Sequence, residues 1–330
     1  MAIVVANMPE HSRKRVFVPG DFEEIAERAE LVFVEPKDVD ESGFREYAQK
    51  ADAMLTCWGS TPLTAAAVEG RATPLLVAHA AGSVRSLVPK DLLLGPVRLS
   101  QGNQAIAPAV AQYTVGLIIL ALRQSLARTD AWRHEYKYTG EHVYRELTDL
   151  TVGLWGLSQV GRRVPKLLKP FDCKVIAYDP YAPESLAEEL GIELVGDLDT
   201  LIERSDVLSL HAPVTDETVG MLDARRVGLL RPGSVVVNTA RPSITDQDAL
   251  FARAAAGEIQ FYTDVTDPEP LPGSHPIWNS PNVYIAPHIA GPTEQTMRRM
   301  ATGAVDEILR FLDGEPLLSE VTYERYDVLA

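Results

Sequence analysis

The stretch TVGLWGLSQVG at residues 151–161 decides the expected fold, because it joins a strand-like apolar run to a glycine-rich turn. It follows the dinucleotide-binding pattern G-x-G-x-x-G, except that Ser158 replaces the middle glycine. Gly156 can make the tight turn, and Gly161 can let a following helix pack closely on the sheet. Since backbone amides at the start of that helix can meet a pyrophosphate, the stretch predicts a dinucleotide site.

Two polar side chains bear on this prediction. Ser158 occupies the position where a missing side chain normally lets the backbone approach the phosphates, so its hydroxymethyl group must point aside or bind a phosphate oxygen. Asp179 lies 18 residues after Gly161, where a carboxylate can accept hydrogen bonds from a ribose and repel a 2′-phosphate. The Asp179 carboxylate therefore favours NAD over NADP. For the glycine motif taken alone, a purely structural strand-to-helix turn is the alternative.

Short apolar runs recur through the chain and alternate with polar, helix-like stretches. Before residue 90 they are AIVVAN, LVFVE, AMLTCW and LLVAHA, and after residue 150 they are TVGLWG, KVIAYDP, VLSLHAP, SVVVNTA, QFYTDV and NVYIAPH. This rhythm is typical of parallel sheets covered by helices. A chain of 330 residues is longer than a single hydrophobic core usually accommodates. We therefore expect an α/β protein with two Rossmann-like domains.

The composition narrows the classes of function. A formal net charge of −15 opposes binding to nucleic acid or to an anionic membrane. The longest apolar run, residues 115–122, is far shorter than the roughly 18 residues that span a bilayer. We therefore expect a cytoplasmic protein with neither partner. Cys57 and Cys173 are far apart, so we expect no disulfide framework and no metal site.

Motifs beyond residue 161 follow in a fixed order: AYDP, HAPVTDET, VVNTAR, DVTDPEPLP and PHIAGPT. Together with the glycine motif they resemble the D-isomer-specific 2-hydroxyacid dehydrogenases over about residues 50–315. The resemblance implies NAD-dependent interconversion of a D-2-hydroxy acid and its 2-oxo acid, both small anions. We expect a discontinuous substrate-binding domain of residues 1–100 and 293–330, an NAD-binding domain of residues 101–292, and an active cleft between them.

Three residues match the family's catalytic positions: Arg241 in NTARP, Glu269 in DVTDPEP and His288 in APHIAG. A histidine that titrates near neutral pH suits the proton transfer that accompanies hydride transfer. A neighbouring carboxylate would orient that imidazole and favour its protonated form. Arg241 can bind the substrate carboxylate and polarise the carbonyl oxygen. Taken separately, each residue has a structural alternative: Arg241 could pair with an acidic loop, Glu269 could be a solvated residue between prolines, and His288 could cap a strand.

The resemblance also implies the remaining contacts. Asp264 would meet the nicotinamide carboxamide, and backbone amides near Ala81 and Gly82 in VAHAAGSVR would bind the substrate with His79 and Arg241. Specificity would depend on Trp58, His79, Arg85 and the loop around Trp278. The expected cofactor-binding residues are Gly156, Ser158, Gln159, Val160, Gly161, Asp179, His211, Ala212, Pro213, Thr239, Ala240, Asp264 and Gly291.

The chain departs from the family pattern at Ser158, at Pro242 after the arginine and at Gln112 in the connecting helix. None of these departures removes a catalytic group. The resemblance implies a homodimer, with residues 105–123 and the following TDAWRHEYKY as contact surfaces. A rival hypothesis from another class is an NAD(H)-sensing protein, like the corepressors related to these enzymes, without significant turnover.

Overall fold

The computed structural model describes residues 1–135 and 144–329. The chain divides into two compact units, Met1–Ile106 with Pro292–Ala330 and Ala107–Gly291. Each unit holds one parallel sheet covered by helices, which confirms the predicted α/β class. The allocation of substrate binding to the first unit stays a prediction.

All strands in the described residues belong to these two sheets. The strands are β1 (Ala2–Asn7), β2 (Ala29–Val34), β3 (Ala53–Thr56), β4 (Leu75–His79), β5 (Val97–Gln101), β6 (Thr151–Trp155), β7 (Lys174–Tyr178), β8 (Glu193–Leu194), β9 (Val207–Leu210), β10 (Val235–Asn238), β11 (Gln260–Thr263) and β12 (Val283–Ile285). The prediction missed β5 and β8, since β5 mixes polar with apolar residues and β8 has two residues.

The strand order reverses once in each sheet. It is β2-β1-β3-β4-β5 in the first unit and β12-β11-β10-β9-β6-β7-β8 in the second. In open parallel sheets ligands bind beyond the carboxyl ends of the strands at such a reversal. The glycine-rich turn follows β6, which lies at the reversal of the second sheet. The fold therefore places this turn where a nucleotide is expected.

The helices connect and cover these strands. They are α1 (Glu10–Val16), α2 (Pro19–Ala26), α3 (Glu41–Lys50), α4 (Ala65–Val68), α5 (Asn103–Leu122), α6 (Ser125–Glu135), α7 (Val164–Leu168), α8 (Glu184–Leu190), α9 (Leu198–Arg204), α10 (Ala224–Gly228), α11 (Gln247–Ala255), α12 (Glu294–Leu312) and α13 (Tyr326–Leu329).

Helix α5 begins in the first unit and continues into the second, since the boundary between the units follows Ile106. By length and composition it is the one helix in the described part of the chain that is apolar enough to cross a membrane, and half of its apolar window is buried. Residues 136–138 of the predicted contact surface lie outside the described residues.

The cores follow from the two-residue period of the strands. In β6, Leu154 and Trp155 point to opposite faces of the sheet and join different apolar clusters. In the first unit, α12 covers the face of β1 that carries Val4 and contributes Met300 to the same cluster. Both faces of each sheet are therefore buried, and polar groups collect at the strand ends.

Candidate active site

The turn after β6 requires glycine at two positions. Gly156 has φ +95°, and a Cβ there would lie 2.7 Å from the backbone nitrogen of Ala212. A Cβ at Gly161 would lie 2.1 Å from the carbonyl oxygen of Gly156. Larger residues would displace backbone at either position, so the structure gives both glycines the tight packing that the motif predicts.

The glycine turn leaves four successive backbone amides for a ligand. Among the described residues no protein acceptor binds the N–H groups of residues 158–161. These donors were expected at the start of a helix, whereas α7 begins only at Val164. If residues 157–161 were helical, the Leu157 carbonyl would accept a hydrogen bond from the Gly161 amide. It instead accepts one from Arg162 Nη2 at 3.2 Å. The donors therefore come from a turn, and their cradle fits a pyrophosphate.

Asp179 fastens the glycine turn to the next strand. Its Oδ2 accepts the Leu157 amide at 2.7 Å, and its Oδ1 accepts the Tyr181 amide at 2.9 Å. Each carboxylate oxygen keeps a second lone pair, so acceptance from a ribose stays open. The sequence predicted the ribose contact and missed the bond to Leu157, which depends on how β6 and β7 pair.

His211, the first of three residues predicted to border the cofactor, follows β9 as a buried side chain. Its Nε2 lies 2.9 Å from Ser209 Oγ, and burial lowers the pKa of His211 to about 3. The ring is therefore neutral and internal. The backbone of His211 and Ala212 packs against Gly156, so this strand end supports the glycine turn. Ala212 is buried and Pro213 is half-buried.

The loop after β10 is organised by an amide side chain. Asn238 Oδ1 accepts the Ala240 amide at 2.9 Å, and Asn238 Nδ2 donates to the Arg241 carbonyl at 3.0 Å. Thr239 Oγ1 lies 2.8 Å from Thr114 Oγ1 in α5. Arg241 Nη1 donates to the Ala240 carbonyl at 2.7 Å. The loop thus has a fixed course from the strand to the arginine.

Arg241 supplies positive charge at this loop. Desolvation lowers the pKa of Arg241, while the negative charge of Glu269 opposes that shift. The side chain is nevertheless solvent-exposed, so its desolvation is incomplete. A guanidinium in this setting keeps its charge at neutral pH, and its remaining N–H groups can bind an anion.

Glu269 and His288 come together as predicted from their motifs. Glu269 Oε1 lies 2.6 Å from His288 Nδ1, although 19 residues separate them. Their side chains are 42% and 47% exposed respectively, so both are accessible to a small molecule. Since Nδ1 is engaged by the carboxylate, Nε2 is the ring nitrogen left for a reacting group. The pair has the geometry of an oriented acid/base.

Asp264 holds the backbone that carries His288. Asp264 is 1% exposed, and its carboxylate accepts the Ile289 amide at 2.8 Å and the Ala290 amide at 2.9 Å. Burial raises the pKa of Asp264, and these two hydrogen bonds oppose the rise. His288 has φ +52°, a left-handed conformation that histidine adopts more readily than most residues. The predicted carboxamide contact of Asp264 stays a prediction, and this loop contact was missed.

The predicted substrate loop follows β4 in the first unit. Among the described residues no protein acceptor binds the amides of Ala81 and Gly82, as expected of an anion-binding turn. His79 is buried beside Thr56, with 3.0 Å between Thr56 Oγ1 and His79 Nδ1. Burial lowers the pKa of His79 to about 4, so its ring is neutral and supports the strand end. Its substrate contact stays a prediction.

The remaining candidates differ in exposure. Trp58 and Trp278 are 38% and 46% exposed, and Trp278 Nε1 donates to the Pro272 carbonyl at 2.9 Å. Arg85 Nη2 donates to the Asp327 carbonyl at 2.7 Å. Gly291 is half-buried. Within the described ranges no cluster of histidine, cysteine and acidic side chains is arranged to hold a metal ion.

Known proteins resemble this chain in sequence and in fold. Residues 115–290 match the family described as D-isomer specific 2-hydroxyacid dehydrogenase, NAD binding domain. Glyoxylate reductase of Thermofilum pendens is 35% identical over 219 residues, which cover 64% of this chain and 63% of that protein. Hydroxypyruvate reductase of Thermotoga maritima is 30% identical over 263 residues, which cover 78% of this chain and 84% of that protein.

A solved structure extends the likeness to almost the whole chain. D-mandelate dehydrogenase of Rhodotorula graminis aligns with a TM-score of 0.84 and 22% identity over 97% of each chain. By contrast, the alignment with the Thermofilum protein spans less than two thirds of that relative. The matched NAD binding domain contains the glycine turn and its open amides, and NAD is the cofactor.

Proposed function

The chain belongs to the family of D-isomer specific 2-hydroxyacid dehydrogenases, and we propose that it interconverts a D-2-hydroxy acid and its 2-oxo acid. The 2.6 Å contact between His288 Nδ1 and Glu269 Oε1 carries this proposal. Bound NAD supplies or accepts the hydride. The protein's own residues then have two tasks, which are to bind the anion and to move one proton.

His288 performs the proton transfer in this proposal. During reduction its Nε2 donates a proton to the carbonyl oxygen, and during oxidation the same nitrogen takes the hydroxyl proton. Glu269 fixes the ring through Nδ1 and stabilises its protonated form. Asp264 sets the direction of the ring indirectly, because it binds the two amides that follow His288.

Arg241 binds the substrate carboxylate and polarises the carbonyl oxygen. Its planar guanidinium can make paired hydrogen bonds to a carboxylate, which gives orientation as well as affinity. The amides of Ala81 and Gly82 add donors without a side chain. In a protein of net charge −15, such local donors are needed for any anionic substrate. The proposed substrates are therefore small 2-oxo and 2-hydroxy acids.

We also propose a homodimer, as the resemblance implies. Ile119 and Leu120 on α5 and Trp132 on α6 are apolar side chains exposed by more than a third. Exposed apolar groups on neighbouring helices support an interface between copies of the chain. Size-exclusion chromatography with light scattering would measure the mass directly, and a monomer would reject the dimer.

The function is tested by NADH oxidation with glyoxylate, hydroxypyruvate, pyruvate, branched 2-oxo acids and phenylpyruvate. NADH binding is measured by fluorescence on the same preparation, and matched D- and L-2-hydroxy acids are compared in the oxidation direction. We expect turnover with at least one 2-oxo acid and a preference for D-hydroxy acids. Binding without turnover would favour the NAD(H)-sensing alternative, and absence of binding would contradict both.

A further inference from the structure

The segment Leu318–Val328, here called the return segment, is tied to the first unit from its start. The buried carboxylate of Glu307 in α12 accepts the amide of Leu318 at 2.9 Å and the amide and hydroxyl of Ser319 at 2.6 and 2.7 Å. Four hydrogen bonds to one carboxylate, counting the longer Leu318 contact at 3.2 Å, hold this entry point. The return segment therefore leaves α12 in a defined direction.

The return segment next runs along the edge strand of the first sheet. Glu320 forms an antiparallel bridge with Ser100, and its Oε1 accepts Arg98 Nε at 2.8 Å. The Val321 amide donates to the Leu99 carbonyl at 2.8 Å. These contacts extend the sheet by one short antiparallel step, and the following residues run beside β5 in the direction of Val97.

The last part of the return segment is bonded to residues 85–90, which continue the substrate loop. Tyr326 is 5% exposed, and its hydroxyl donates to the Val88 carbonyl at 2.7 Å. The Asp327 carbonyl accepts Arg85 Nη2 at 2.7 Å, and the Asp327 carboxylate pairs with Lys90. Three of the six loop residues therefore bond to two neighbouring residues of the return segment.

Val84 links these bonds to the open amides of the loop. The amides of Leu87 and Val88 both donate to the Val84 carbonyl at 2.9 Å, which closes a tight turn. Val84 is fully buried and shares one apolar cluster with Tyr326. The anion-binding amides of Ala81 and Gly82 lie immediately before this turn. Their direction consequently depends on where Val84 is held.

We propose that the return segment positions the substrate-carboxylate loop, with Tyr326 and Asp327 as its positioning residues. The proposal rests on the proposed function, since it assigns the loop at Ala81 and Gly82 to the substrate anion. Neither positioning residue touches the substrate. They act because the loop amides serve an anion only when they converge, and a loop of small residues has few side chains of its own to fix that arrangement.

The experiment compares the variants Tyr326→Phe and Asp327→Ala with the unaltered protein, and Arg325→Gln is the matched control. Phenylalanine keeps the buried ring and removes only the bond to Val88, so folding is preserved. Arg325 is an exposed side chain of the same segment. We expect each variant to raise the KM of the 2-oxo acid by about fivefold, as befits one lost hydrogen bond, with kcat and NADH affinity unchanged. The control should leave all three values unchanged.

Hydrogen exchange separates this proposal from the proposed function. Exchange of the amides of residues 81–88 should rise in both variants, and this readout does not require turnover. Unchanged exchange, or raised exchange with an unchanged KM, would overturn the positioning role. A rise in NADH dissociation constant equal to the rise in KM would also overturn it, because the effect would then be general. Absence of turnover in the unaltered chain would reject the proposed function, while exchange would still decide whether the segment holds the loop.

Discussion

His288 and His211 follow strands of the same parallel sheet, but the structure gives them different surroundings. The His288 side chain is 47% exposed and its Nδ1 meets a carboxylate at 2.6 Å. His211 is 4% exposed and its Nε2 meets a serine hydroxyl at 2.9 Å. The first can exchange a proton with a ligand, whereas the second is held neutral by burial. His288 differs from His211 in the hydrogen-bond partner and the solvent access of its ring, although both residues follow strands of the same sheet. These two properties distinguish a reactive histidine from a supporting one.

His288→Ala should produce the largest effect. Because the variant lacks the proton donor, kcat/KM for 2-oxo acid reduction should fall by about a thousandfold. NADH binding and the urea midpoint should remain close to those of the unaltered chain, since the side chain is exposed. His11→Ala, at an exposed histidine of α1, is the control. Turnover within tenfold of the original would remove His288 from the mechanism.

Glu269→Gln sharpens the comparison by changing only the partner of His288. Glutamine keeps the size of the side chain but lacks the negative charge that stabilises a protonated imidazole. Reduction should fall by about a hundredfold. The measurement is kcat for the 2-oxo acid at saturating NADH. A kcat within threefold of the original would show that Glu269 contributes little to the reaction.

The buried histidines should make stability depend on pH. Burial lowers the pKa of His211 to about 3 and that of His79 to about 4, from an ordinary value of 6.5. Below pH 6.5 the unfolded chain takes up protons that the folded chain does not. Their contribution is therefore complete above pH 6.5 and is lost as pH falls toward 4 and then 3. Each of the two histidines should lower the free energy of unfolding by about 2 kcal/mol between pH 6.5 and 5.

Urea unfolding at several pH values measures this loss. His211→Asn should flatten the pH dependence by the share of one histidine, and His79→Asn by a similar share. His11→Gln should leave the slope unchanged, since that side chain is exposed. If neither buried substitution flattens the profile, the contrast between His211 and His288 does not arise from burial.

The smallest effect is expected at Ser158. Ser158→Gly restores the middle glycine of the motif and should change the NADH dissociation constant by about threefold. Gly156→Ala is the contrasting variant, because its Cβ would lie 2.9 Å from the His211 carbonyl carbon and the position has φ +95°. It should weaken NADH binding by about tenfold. Equal effects would show that the backbone of His211 does not support the glycine turn.

Local patterns predicted much of this molecule. The glycines at 156 and 161 and the apolar runs of the strands are short-range signals, and the structure places them as expected. Arg241 and the pair of Glu269 and His288 followed from the resemblance of complete motifs.

Contacts between distant segments were missed for a physical reason. Asp264 binds amides 25 and 26 residues further along, and Tyr326 binds a carbonyl 238 residues before it. Such bonds depend on the lateral order of strands and on the path of loops, neither of which leaves a periodic signal. The burial of His79 at the end of β4 was also missed, while its substrate contact, which the resemblance implies, stays a prediction.

The first unit is built from two separate stretches of the chain, which matters for the order in which the two cores are synthesised. The middle segment Ala107–Gly291 is continuous, so its whole sheet is available once that stretch has left the ribosome. The core around Val4 instead includes Met300, Val305 and Ile308 of α12, which are translated about three hundred residues later. Since domains generally fold as units, the first unit can complete its core only after α12 has been made, whereas the inserted unit can complete its core earlier. The unit whose sequence begins first is therefore the second whose sequence is complete.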